Sequence, residues 1–269
     1  MPIGRRRGLR FFSVGVVYRV GMSKPNRPPV KRGPSYKPSA TSSRSTYLLV
    51  AVAVVVIAVV VIGGVIWNSQ RDKGSADQNV LAQNASLIIG RADAPHTIDV
   101  FEDFQCPYCK QFEASSGQAM VDAANAGTLR IRYHLLTFLN RNSGSGDYSS
   151  RAAGAALCVA RAGDQDTFLK YHTKLYDEQP AEGGDDPDNA ALAQKAAAVG
   201  ASTQTQQCIA NGSAVAEADT SAQQSLTQLS KALGGQAGTP TVLSGGQAVS
   251  GILDGPQWVA QLVDGKSQS

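Results

Sequence analysis

Apolar positions divide the chain into distinct regimes. From Tyr47 to Trp67 they run almost without interruption, and no charged residue falls in those 21 positions. At about 1.5 Å of rise per residue, a helix of that length reaches roughly 30 Å, the hydrocarbon thickness of a bilayer. Aromatic rings at both ends, Tyr47 and Trp67, suit the two interfaces. A cleaved signal peptide would have a shorter apolar core and a small-residue cleavage site. Here the core is longer and is followed by Asn68-Ser69-Gln70-Arg71-Asp72-Lys73. The pattern therefore predicts a single uncleaved transmembrane helix over 47–67.

Residues 68–86 are polar and are expected to form a linker. From Leu87 onward the pattern becomes that of a folded body. Thr97–Phe101 is β-branched and aromatic and predicts a strand. Phe112, Ala119, Met120 and Ala123 follow at helical spacing up to Gly127, and Leu129–Leu136 alternates like a second strand. Residues 148–233 are rich in Ala, Gln and Leu and predict helices broken at Gly163, 182–187, Gly200 and Asn211-Gly212. Short apolar strands are expected at 241–243 and 248–252, then a helix from Pro256 to about Val263 with Gly265 as its stop. Strand–helix–strand is the seed of a parallel sheet. The expected fold is α/β, with 87–147 and 234–265 as one domain and 148–233 as a helical insertion.

Charge refines this picture. Residues 1–46 carry eleven Lys and Arg and no acid, which leaves 14 basic against 21 acidic residues, a net of −7, in the remainder. The overall charge of +4 thus belongs to a tail beside the apolar span, and nucleic acid is not an expected partner. Residues 23–46, rich in Pro, Ser, Lys and Arg, cannot offset their ordering entropy by burial, so 1–46 is read as a basic, disordered tail. Met22 opens a stretch that would serve as a natural start, which marks 1–21 as a possible over-extension of the reading frame. Positive residues stay on the cytoplasmic side, so everything after residue 67 is expected outside the cytoplasm.

That compartment permits disulfides. Of four cysteines, Cys106 and Cys109 form a Cys-Pro-Tyr-Cys motif and Cys158 and Cys208 stand alone. Pro107 suits the first position of a helix. The motif thus places Cys106 before the free N–H groups of a first helical turn, which stabilise a thiolate. Cys106 is the expected exposed, attacking sulfur and Cys109 the more buried resolving one. A zinc site would need two further ligands at close spacing, which Cys158, Cys208, His96, His134 and His172 do not provide. An inert bridge over so short a loop would add little stability. Two unpaired thiols would be a liability in an exported protein, so Cys158 and Cys208 are expected to bridge each other. Tyr108, Phe104 and Phe138 are candidates for an apolar peptide groove.

Asp103-Phe104-Gln105-Cys106-Pro107-Tyr108-Cys109, with Gly238-Thr239-Pro240-Thr241 far downstream, resembles the DsbA-like branch of the thioredoxin superfamily. The resemblance covers about 87–265. It implies a thioredoxin-like fold with an inserted helical domain and a protein-disulfide oxidoreductase with no cofactor beyond the Cys106–Cys109 pair. It also implies a cis Pro240 after Thr239 beside the active site, exported client proteins with reduced cysteines, and reoxidation by a membrane partner of the DsbB or vitamin-K-epoxide-reductase-like kind. Many relatives carry a buried acid six residues before the first cysteine. Val100 occupies that position here, and among the nearby acids Asp99, Glu102 and Asp103, Glu102 is the expected substitute. All three sit where a strand end would also leave them solvated. Direction, oxidase against reductase or isomerase, and a non-catalytic binding module remain open at this point.

Overall fold

A computed structural model describes residues 74–265. The expected span over 47–67 and the basic tail lie outside the described residues. Among the described residues no helix is long and apolar enough to cross a membrane.

Five strands form one sheet in the order β1-β3-β2-β4-β5. These are β1 (Leu87–Ile89), β2 (His96–Glu102), β3 (Leu129–Leu135), β4 (Thr241–Ser244) and β5 (Gln247–Ala248). β2 is the centre. It runs parallel to β3, with Val100 opposite Tyr133, and antiparallel to β4, with Val100 opposite Val242. A strand covered on both faces reads as a nearly unbroken buried run, and Ile98 to Glu102 are all buried. Alternation then sorts its side chains. Ile98 and Val100 join the larger core with Phe112, Ile131 and Tyr133, whereas Phe101 faces a smaller one with Leu81, Leu229 and Leu243.

Between β2 and β3 the chain forms α2 (Pro107–Phe112), a π-helical turn (Glu113–Gly117) and α3 (Gln118–Asn125). The helix expected there is thus interrupted by one wider turn. Between β3 and β4 lie α4 (Tyr148–Arg161), α5 (Gln165–Asp177), α6 (Asn189–Ala198), α7 (Thr203–Ala210) and α8 (Val215–Ala232), and α9 (Gln257–Val263) follows β5. α4 and α8 pack closely. A Cβ at Gly154 of α4 would come within 2.9 Å of the Val215 backbone, so only glycine fits there. Cys158 on α4 and Cys208 on α7 form a disulfide with Cα atoms 6.0 Å apart.

Two expectations need correction. The polar stretch 68–86 is not all linker, because α1 (Gln78–Asn84) lies within it, capped by the Asp77 carboxylate. Leu81 is fully buried, and the Asp77 N–H donates to Gln228 of α8. One buried leucine among polar neighbours leaves no periodicity to detect. The last strand also ends early, at Ala248, because the chain turns at Gly251 with φ of 71°.

Candidate active site

β2 delivers the chain to the site, and α2 starts it. The Cys106 N–H donates to the Asp103 carbonyl, and Cys106 caps α2 with an extended backbone while Pro107 takes the first helical position. Gln179, beyond α5, donates to the carbonyls of Phe104 and Cys106, both at 2.9 Å, and so clamps the loop from the far side. Cys106 is 4% exposed and Cys109 fully buried, while Tyr108 between them is 59% exposed. Both thiols are free in this structure.

Thr239-Pro240 is a cis peptide bond, and the Thr239 carbonyl accepts from the Cys106 thiol at 3.3 Å. The Thr239 hydroxyl has no hydrogen-bond partner among the described residues. Once Cys106 is ionised, donors surround it. The Cys109 thiol contributes most, followed by the Thr239 hydroxyl and the Cys109 and Tyr108 N–H groups, and against the opposing effect of burial they bring Cys106 down to about 6. Cys109 moves the other way. Burial raises it first, then its bond to Cys106 and the Glu102 charge. Cys106 is thus buried like Cys109, against the expectation of an exposed attacking sulfur; a low thiol beside a high one still divides the two sulfurs into attacking and resolving roles.

The acids Asp99, Glu102 and Asp103 are all fully buried, not solvated at a strand end. Asp99 accepts from His134 at 2.8 Å and pairs with Arg132 at 2.6 Å, and His134 reaches Ser225 of α8 at 3.0 Å. This network ties β2 and β3 to α8. Asp103 accepts from the Gln105 and Leu139 N–H groups and, at 2.6 Å, from the Ser149 hydroxyl of α4. Burial outweighs these bonds and raises its carboxyl to about 6.

Glu102 faces the site. Its Oε2 lies 2.9 Å from His172 Nε2, and His172 Nδ1 lies 3.8 Å from Glu113 Oε2. Phe104, Phe168, Tyr133 and Tyr176 enclose the His172 ring. Burial raises both carboxyls well above their usual range; the contact between them raises Glu113 further and works the other way on Glu102, and burial lowers His172. Glu102, Glu113 and His172 each offer a ligand atom within 4.8 Å of the others. His172, however, turns opposite ring nitrogens to the two carboxyls. A metal would take one nitrogen and require both carboxylates to converge on it; as they stand, only the Glu102 contact is within hydrogen-bond distance.

Sequence reasoning therefore placed Cys106, Cys109, Pro107, Tyr108, Thr239, Pro240 and Glu102, and the structure brings the two cysteines, Thr239 and Pro240 together. It missed Glu113, His172, Gln179 and Ser149. Glu113, seven residues after Cys106, shares its helical face two turns on. The other three carry no local signal. Phe104, read as a groove residue, is a core residue with no exposure; Phe138 is half-buried beside Leu136 and Leu226.

A family model described as Thioredoxin matches residues 82–264. The chain is 36% identical over 185 residues to the serine/threonine-protein kinase PknE of Mycobacterium tuberculosis. The match covers 67% of this chain and 32% of the kinase, so the chain spans about a third of that relative's length. MdbA, a thiol-disulfide oxidoreductase from Corynebacterium diphtheriae, superposes with a TM-score of 0.59 and 28% identity over 72% of this chain and 97% of that one. The reduced form of DsbA from Mycobacterium tuberculosis gives 0.51 and 27% over 67% and 98%.

Proposed function

The chain belongs to the thioredoxin family, and on that premise we propose that it is a membrane-anchored thiol–disulfide oxidoreductase that introduces disulfides into exported proteins. The observation that carries this reading is the setting of Cys106, at the start of α2, 3.3 Å from the Thr239 carbonyl and lowered to about 6. A sulfur that is stable as thiolate is a good leaving group, which favours donating the disulfide over keeping it.

In the proposed cycle a client thiolate attacks the Cys106 sulfur of the Cys106–Cys109 disulfide. A client–Cys106 bond forms, the Cys106–Cys109 bond breaks, and Cys109 leaves as thiolate and takes up a proton. A second client thiolate then attacks the client sulfur of this mixed disulfide. Cys106 departs as thiolate, the client is oxidised by two electrons, and the pair is left reduced. The reoxidant is a membrane partner of the DsbB or vitamin-K-epoxide-reductase-like kind. Thr239 and Pro240 position the client beside Cys106, and Glu102 gives Cys109 its proton as it leaves and takes one back when the pair is reoxidised. The apolar span at 47–67 and the basic flank before it support a single-pass anchor with the catalytic body outside the cytoplasm.

Replacing Cys109 by Ala tests the cycle, because Cys106 can then form mixed disulfides that no neighbouring thiol resolves. Reductant-sensitive adducts to exported proteins are expected from cells carrying this variant, and none once Cys106 is also Ser. Finding no adduct in the single variant would leave a thioredoxin-like binding module as the better reading.

A further inference from the structure

The carboxyls of Glu102 and Glu113 are in contact, and two acids that meet away from water need either a shared proton or a cation between them. Among the described residues neither pairs with a Lys or Arg. The lysines that line the cleft beside them, Lys110, Lys170 and Lys174, are engaged with the Asp177 carbonyl, Asp166 and Glu178. We propose that Glu102, Glu113 and His172 form a binding site for one zinc ion, reached through the cleft between α3 and α5. The proposal is independent of the direction in which the cysteine pair works.

Three observations carry it. First, one ligand atom from each of the three residues lies within 4.8 Å of the other two. Glu102 Oε2 and His172 Nε2, 2.9 Å apart, already have nearly the spacing of two ligands on one zinc ion, roughly 3.3 Å for bonds near 2 Å. The Glu113 carboxyl has only to swing towards them. It has the room, because it opens the π-helical turn and Gly117 lacks the Cβ that would fall 2.5 Å from Glu113 Oε2.

Second, the cluster holds buried polar atoms with nothing to bind. Glu102 Oε1, Glu113 Oε1 and the hydroxyls of Tyr133 and Tyr176, whose rings flank His172, have no hydrogen-bond partner among the described residues. Glu102 and Tyr133 have no exposure and Tyr176 has 2%. Buried polar atoms are nearly always satisfied. A dication neutralises both carboxylates together, whereas a shared proton occupies one oxygen of each. Third, Glu113 and His172 line an open cleft of about 760 Å³, and the Glu113 side chain is 11% exposed. The ion therefore has an entry path and water for its fourth position.

The donor set selects the metal. One imidazole nitrogen with two carboxylates suits zinc, whereas calcium and magnesium take shells of oxygen. His134 does not compete, since Asp99 and Ser225 engage both its nitrogens. Bound at this place, the ion would tie the end of β2, the turn behind α2 and α5 of the helical insertion to one point.

The full chain is purified in detergent without a histidine tag, with Cys106–Cys109 held as a disulfide so that no thiol can bind metal. It is stripped with a chelator and titrated with zinc against a chromophoric competitor. Uptake of about one equivalent is expected, with a rise in the thermal unfolding midpoint. Glu113→Gln and His172→Gln should each weaken binding about tenfold or more. X-ray absorption at the zinc edge of the unsubstituted chain should show one imidazole with oxygen ligands and no sulfur, and this carries the test if the variants do not fold. No stoichiometric uptake would mean that a shared proton or water fills the cluster and would overturn the proposal. Uptake that both folded variants retain, or a spectrum without imidazole, would overturn it as well. None of these readouts involves disulfide transfer, so their failure leaves the redox reading standing.

Discussion

The sulfur of Cys106 lies 3.3 Å from the carbonyl oxygen of Thr239, a residue 133 positions away. The contact joins the start of α2 to the loop before β4, and it places an otherwise unpartnered hydroxyl beside the thiol. Thr239→Val keeps the shape and removes that hydroxyl. A hydrogen bond to a charged group contributes roughly 1.5 kcal/mol, so the thiol of this variant should titrate about one pH unit higher. Thiolate absorbance followed against pH checks this, and an unaltered titration would remove the hydroxyl from the account.

Cys106 should titrate near pH 6 in the reduced protein. The sign follows from linkage. A thiol lowered by folding gives the reduced form stability that is full above its ordinary value near 9 and is lost as pH falls through about 6. Reduction takes up two protons below that point and one above it. The slope of the reduction potential against pH should therefore drop from about 60 to about 30 mV per unit near pH 6, which equilibration in redox buffers across pH 5 to 8 measures.

The Cys158–Cys208 bridge closes a 50-residue separation between α4 and α7. In the chain-entropy model that loop is worth about 4 kcal/mol. Replacing both cysteines by Ala should lower the urea unfolding free energy by an amount of that order and leave the reactivity of Cys106 intact. A loss below about 1 kcal/mol would mean that the helical insertion is held by packing alone.

Asp103 is buried and raised to about 6 despite accepting from Gln105, Leu139 and Ser149. An acid raised by folding contributes stability that is full below its ordinary value near 4 and is lost as pH rises through about 6. Asp103→Asn does not titrate. The stability difference between parent and variant, both with the cysteine pair oxidised, should therefore narrow as pH rises from 5 to 8. A difference independent of pH would contradict the assignment.

Much of this molecule was legible from residue order, and the reasons differ by element. β2 announced itself through a β-branched and aromatic run, and β3 through the alternation at its start. α2 did so because Cys106 and Pro107 mark a cap and a first turn. β1 stayed hidden, since three residues pairing antiparallel with β3 carry no pattern of their own. α1 was hidden for the same reason, with Leu81 as its one fully buried side chain. Within the site, Cys106, Cys109 and Glu102 are neighbours in sequence and could be read together. His172 lies 70 residues from Glu102 and Gln179 lies 73 from Cys106. Only the docking of α5 over α2 brings them near, and nothing local distinguishes them from other polar residues of a helical stretch.

The central claim is that the Cys106–Cys109 pair donates disulfides, and the reduction potential of the full chain tests it most directly. The pair should equilibrate with glutathione towards the oxidising end, where DsbA lies near about −120 mV. A value near about −270 mV, that of thioredoxin, would contradict the account and make the protein a reductase or isomerase supplied with electrons across the membrane.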